Sequence, residues 1–418
     1  MKRFVYCLDN AQMAHDNLYP TNISMIERSI SSYDKDIRQI RFYKKEVMRR
    51  ESESLSTTLF GNSVMDSVYE CYAHLCEHYE VGDEIFIFGF GKGAFQARSL
   101  AGMISYCGLV TAEDNVALEE AKVYYQHRIT QTRKEIEEFN YWRMQNSIMM
   151  CANEEDYLYR KEHSQNIVPS ILKIKYIGVL DTVNAMGLFN FYPWQDTILS
   201  SQVESARHIM ALDERRKKFT LIPWSNISEL NAKACENGRE DNLYQQLWFP
   251  GTHSLMGGGG MHRGLSDEAF RWIVEGAKQA GLKMIYDEDG ELFTLNTNPL
   301  DWIYPPMDID KRMILKAKLW LKCKLTMKAT RSERAGPMDI SEVHDFVKIR
   351  FLAKKIYLPE KKLYRPASLE KLKHGLLLEN LVYNYAAYQK VFLYCYKTKR
   401  RLAQNHLKHQ EASLCLMA

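Results

Sequence analysis

Apolar residues run almost unbroken through "RFVYCLD", "EIFIFGF" and "KIKYIGVLD". Runs this short, bounded by turn residues, predict buried strands, the first of them ending at Asp9. A mixed stretch, "DIRQIRFYKKEV", reads as a further strand. Between them lie helical patterns. "PTNISMIERSISSY" carries Thr21 or Asn22 as a cap, and "NSVMDSVYECYAHLCEHY" places Val64, Val68, Cys71, Tyr72, Leu75 and Tyr79 on one stripe. Further on, "SARHIMALDERRKKF" reads as a helix and "LYQQLWFPGTHSLMGGGG" as a strand followed by a glycine-rich loop. "LSDEAFRWIVEGAKQAGL" reads as an amphipathic helix capped by Ser266. Alternating strands and helices predict an α/β fold, a mainly parallel sheet with helices on both faces. Residues 112–166 are polar and long-period helical, which predicts a helical insertion above the sheet. From about Asp310 the chain turns helical and basic, with a linker-like "RSERAGPMD" inside that part. The expected division is 1–300 for the α/β domain and 301–418 for a C-terminal region packing on it.

Composition changes this picture in two places. The formal charge of +4 hides an asymmetry, because residues 311–418 hold 24 Lys and Arg against 8 Asp and Glu, leaving 32 against 44 for residues 1–310. A basic tail on an acidic body suggests contact with an anionic surface, phospholipid above all, or a solvated face packed on the acidic body. Aromatic "LVYNYAAYQKVFLYCY" and "KTKRR" at 397–401 read either as an interface-seeking helix or as a packed helix with a solvated basic end. Nucleic acid has only the charge in its favour. Nine scattered cysteines without a C-x-x-C argue for reduced thiols and against a structural metal. The N-terminus reads as a strand, not a signal peptide, and no run approaches the length of a membrane span. A cytoplasmic protein is expected, exported only by a route that needs no such signal.

The chemistry centres on "EIFIFGFGKGAFQARSLAGMISYCGLV", a strand, a glycine turn and a helix. An α/β-hydrolase presents its nucleophile this way, in a G-x-S-x-G elbow. Gly89 and Gly93 hold the flanking positions, but Gly91 stands where the serine belongs. The rest of the triad order, acid then histidine, is filled by Asp181 after "KIKYIGVL" and by His253 after "LWF". Ser99 and Cys107 are the nearest substitute nucleophiles, both more than a turn along the elbow helix. The same turn also fits G-x-G-x-x-A through Gly89, Gly91 and Ala94, a phosphate- or nucleotide-binding pattern with Lys92 adding charge.

"GFGKGAFQARSLAGMI", "YIGVLDTV", "ARHIMALDERRKKF", "LWFPGTHSLMGGG" and "GLSDEAFRWIVEGAKQAGL" follow in the order and spacing of the α/β-hydrolase family that includes the type VI secretion phospholipase effectors. The resemblance covers most of residues 1–370. It implies a bacterial lipase fold with no cofactor or metal, acting on phospholipid or other carboxylic esters, and a protein partner. Carried over by position, Gly91 is the degenerate nucleophile slot, Asp181 the acid and His253 the base. Asp9 matches the aspartate of a D-G-T motif whose loop, with the N–H of Lys92, supplies oxyanion contacts. The departures fall on the chemistry: Gly91 for serine, Asn10-Ala11 for Gly-Thr, and Leu255-Met256 for Asp-Val. The resemblance therefore implies a hydrolase fold that has lost ester hydrolysis and acts by binding. An esterase using an activated water is the alternative.

Overall fold

A computed structural model describes residues 1–9, 19–45, 59–111, 115–147, 149–164, 170–184, 197–240, 242–285, 295–304 and 333–382 of the chain. Seven strands form one sheet in the order β2-β3-β1-β4-β5-β6-β7. They are β1 (Lys2–Asp9), β2 (Tyr33–Asp34), β3 (Ile37–Lys45), β4 (Glu84–Phe90), β5 (Tyr176–Leu180), β6 (Ala206–Ala211) and β7 (Tyr244–Phe249). Every pairing is parallel except the short β2–β3 hairpin. β4 and β5 are buried along nearly their whole length, as strands covered on both faces must be.

Two apolar clusters sandwich the sheet. On one side pack α2 (Leu59–His78) and α3 (Lys92–Cys107), joined by Ala117, Ala121 and Tyr125 of α4 (Asn115–His127), by Phe139 and Trp142 of α5 (Arg133–Asn146) and by Leu230 and Ala234 of α7 (Ile227–Glu236). On the other side pack α1 (Asn22–Ser29), α8 (His253–Gly257) and α9 (Gly264–Gln279). The α2 stripe is as the periodicity predicts: Val64, Val68, Cys71, Tyr72, Leu75 and Tyr79 are all buried. Thr21 caps α1, its hydroxyl accepting from the Ser24 N–H. The 112–166 stretch forms α4, α5 and α6 (Glu154–His163) among its described residues, with Thr132 and Glu135 closing a capping box on α5.

Four expectations need correction. The start of "SARHIMALDERRKKF" is not a helix but β6, a central strand whose six residues are all buried. Its polar Arg207 and His208 break the apolar run and mimic helical spacing, yet each is satisfied inside. Arg207 donates to the Trp272 carbonyl, and His208 bonds Gln246. Ser266 does not cap α9, which begins two residues earlier with Arg263 at the N-cap. The Ser266 hydroxyl instead donates to Asn22 Oδ1. The stretch after β7 is not all loop, because His253 opens the short helix α8. Finally, "RSERAGPMD" is not a free linker: Gly336 and Pro337 are buried and Arg334 reaches into the body of the protein. The aromatic and "KTKRR" stretches lie, beyond Val382, outside the described residues.

Candidate functional site

Strands β1 and β4 are neighbours, yet the chain winds outward from them in opposite directions, so a crevice opens at their C-terminal ends. Asp9 ends β1 and Gly91 follows β4. At Gly91 the backbone turns sharply, with φ 58° and ψ −113°, and the residue becomes the N-cap of α3. Its N–H donates to the Leu180 carbonyl, while its own carbonyl accepts from Phe95 and Val183. Close approach explains the flanking glycines. A Cβ on Gly89 would lie 2.4 Å from the Gly93 carbonyl, and one on Gly93 would lie 2.1 Å from that of Leu8. The elbow's packing is therefore complete although its central side chain is absent.

Asp181 sits one residue past β5 in the left-handed region, at φ 46°, a conformation aspartate tolerates better than most residues. Its Oδ2 accepts from His253 Nδ1 at 2.7 Å, and Oδ1 accepts from the Ala211 N–H at 2.8 Å. His253 is 2% exposed. Its imidazole lies between the rings of Phe90 and Phe219, with centroids 4.7 and 4.3 Å away. Its backbone N–H is held by Glu214, whose carboxylate also gathers Arg216. With Nδ1 committed to Asp181, Nε2 is buried and has no hydrogen-bond partner among the described residues. Asp181 and His253 are thus brought together 72 residues apart in sequence, beside the Gly91 elbow.

Arg334 was not foreseen. Its guanidinium grips both oxygens of Asp181, at 2.5 and 2.9 Å, and donates also to the carbonyls of Ala211 and Phe219. Burial alone would push the Asp181 carboxyl upward, but Arg334 and then His253 outweigh it and hold the group well below the usual carboxylate range. Next to it, His208 accepts from the Thr182 N–H. Burial and the charge of Arg98 push that imidazole down to about 3, so it stays neutral.

The remaining residues fall as follows. Asp9 is buried and accepts from the hydroxyls of Thr21 and Tyr43, so its carboxylate braces the start of α1 and the C-terminal end of β3. Lys92 opens α3, half-buried. Leu255 and Met256 are packed in the apolar cluster, and Asn22 ties down the Met256 carbonyl. Asn10 and Ala11 lie outside the described residues. Ser99 and Cys107 are buried on α3, about 12 and 24 Å from Gly91 along its axis, too far to replace a nucleophile there. Burial also pushes the Cys107 thiol upward, away from the reactive thiolate. Among the described residues, no helix is long and apolar enough to cross a membrane.

Residues 2–276 match the family described as T6SS, Phospholipase effector Tle1-like, catalytic domain. The chain belongs to this family. An uncharacterized protein of Saccharomyces cerevisiae is 28% identical over 236 residues, which are 52% of this chain and 32% of that protein. Two solved structures are similar at low levels. An uncharacterized protein from Pseudomonas aeruginosa shares 13% identity at a TM-score of 0.37, over 68% of this chain and 46% of its own. The Tle1 effector bound to the VgrG spike of the type 6 secretion system shares 14% at 0.32, over 62% and 51%. This Tle1-like chain thus spans about a third of the yeast relative and about half of each solved chain. Its matched segment carries the elbow, the acid and the histidine, while Arg334 lies outside it.

Proposed function

We propose that this Tle1-like catalytic domain binds a lipid-derived ligand without hydrolysing esters. One observation carries the reading: an intact elbow and a buried Asp181–His253 pair converge on a residue, Gly91, that has no atom to attack with. Loss of a triad serine ordinarily removes on the order of 10⁶ in turnover. Arg334 adds a second obstacle, because the acid of a triad must favour a charged imidazole and here its charge is already matched. The basic region 311–418 supports contact with anionic phospholipid surfaces, and the effector family supports a protein partner and export without a Sec signal from a cytoplasmic origin. The phosphate reading of the glycine turn is weaker, since Gly89 and Gly93 are already required by packing.

The test is hydrolysis of short-chain esters and phospholipids by the native chain, Gly91→Ser and His253→Ala. Native protein should be silent, and Gly91→Ser should gain at least about 100-fold. A second reading rests on the unpartnered Nε2 of His253, which could activate water directly. Native turnover that disappears in His253→Ala would establish it and overturn the first.

A further inference from the structure

At the end of the sheet opposite the elbow, where β5, β6 and β7 begin and α9 finishes, lies a cavity of about 570 Å³. Its walls are mostly polar, with Lys175, Glu204, Arg207, Arg239, Gln245 and Gln279 among them. Such walls suit a hydrophilic ligand and disfavour an acyl chain.

Charge decides which hydrophilic ligand. Lys175 is matched, its Nζ lying 2.9 Å from Glu204 and 3.7 Å from Glu84. Arg207 is not. It is 7% exposed, yet its guanidinium donates to two neutral oxygens, the Trp272 carbonyl at 2.5 Å and Gln279 Oε1 at 2.9 Å. Glu275 approaches only to 3.9 Å, and it lies closer to Arg271, at 2.9 Å. Those bonds occupy N–H groups but leave the charge of a buried cation without a carboxylate in direct contact among the described residues. Arg239 adds an exposed second cation to the wall and donates to the Glu204 carbonyl, again a neutral oxygen.

Two charges oppose an anion there. The carbonyl end of α9 carries roughly half a unit of negative charge, and Glu240 stands exposed on the wall. Water screens Glu240, and half a unit does not cancel the buried guanidinium, so the balance favours an anion. The arginine is also held ready. Its guanidinium lies over the Trp272 ring, 4.9 Å from the centroid, and its stem crosses α9 at Gly276, where a Cβ would lie 2.7 Å from Arg207 Cδ. A planar fork fixed in this way can grip two oxygens of one group with little freedom left to lose.

We propose that this cavity binds a small hydrophilic oxyanion, a phosphate or carboxylate held by Arg207 and Arg239, with the amides of Gln245 and Gln279 beside it for the ligand's other polar groups. The site is separate from the elbow, and the proposal does not depend on whether esters are hydrolysed there. Inorganic phosphate, citrate and glycerol, at one ionic strength set with sodium chloride, are titrated calorimetrically into the full chain at neutral pH. Phosphate or citrate should bind at least about 10-fold more tightly than glycerol, and the tighter of the two tells whether the natural group is a phosphate or a carboxylate. Arg207→Lys keeps the charge but loses the fork, and should weaken that binding by at least about 10-fold. Arg239→Gln changes an exposed side chain, and should weaken it by at least about 5-fold with the thermal melt unchanged. On the native chain, the anion should also move the ¹⁵N resonance of Arg207 Nε, a readout that needs no variant. Folded His253→Ala should bind the anion as the native chain does. Glycerol bound as tightly as both anions, no anion binding above the chloride background, or an affinity that survives both arginine changes overturns the proposal. Anion binding lost in folded His253→Ala would put the oxyanion at the elbow and overturn it as well.

Discussion

Asp213 shows how a single carboxyl sets a pH dependence far from the elbow. It is buried, and its Oδ2 accepts from the Gly251 N–H at 2.7 Å and from the Tyr364 hydroxyl at 2.9 Å. Burial nevertheless dominates those bonds and pushes the group up to about 6. Because the folded state holds this proton more tightly than the unfolded chain, its contribution is fully present below the ordinary carboxylate pKa and is lost as pH rises through about 6. The span corresponds to roughly 2–3 kcal/mol. Asp181 behaves oppositely, its stabilisation being lost only at much lower pH. Asp213→Asn can still accept both hydrogen bonds, so it should be more stable than the native chain at pH 8 and lose that advantage by pH 4. Urea midpoints at several pH values check this, and equal pH slopes in the two proteins would refute it. At this scale the sequence was readable where a residue type is itself the chemistry. Gly91, Asp181 and His253 stand in triad order, and two of them meet. Asp213 and Glu214 were visible only as parts of a motif, because holding Gly251 and the His253 backbone leaves no signature in spacing.

The segment from Glu333 to Val343 illustrates what element-level patterns hide. Its polar, Gly- and Pro-containing sequence has the composition of a linker, but Val343 bridges to Trp248 on the edge strand β7 and Arg334 enters the site. One buried arginine is too sparse a signal for any periodicity. β6 misled for the opposite reason, since Arg207 and His208 interrupt an apolar run whose burial is decided by neighbouring strands. The Arg334 contact makes a definite expectation in the Gly91→Ser background. Replacing Arg334 by Gln frees the charge of Asp181 to support an imidazolium, so ester turnover should rise by about 10-fold. The same change breaks a buried ion pair and should cost about 3 kcal/mol of stability. Turnover and denaturant melts measured on the double variant separate the effects. Lower turnover in a folded double variant would mean that Arg334 orients the acid instead of quenching it.

Across the whole molecule, the boundary expected near residue 300 divides the chain's charge but does not divide its core. Val343, Val347, Phe351, Leu358, Leu369 and Leu376 belong to the same apolar cluster as Val5 and Phe88 of the sheet and Phe270 of α9. Polar contacts run the same way. Arg350 is buried and donates to the carbonyls of Pro299 and Asp301 while pairing with Glu360, and His344 stacks on Phe249 at 4.0 Å. Tyr364 reaches Asp213, which in turn holds the Gly251 turn just before His253. A shared core with buried polar ties makes partial detachment expensive, so residues 1–304 and 333–382 should unfold together. Calorimetry of the full chain should show one transition, and Phe351→Ala should lower it as a whole, by about 3–5 kcal/mol of stability. A chain ended at residue 276, the limit of the family match, should expose Phe249, Val5 and their neighbours and lose cooperative unfolding. Two separate transitions, or a 276-residue chain that melts as sharply as the native one, would show instead that the C-terminal segment is an appendage, and that Arg334 visits the site without being built into it.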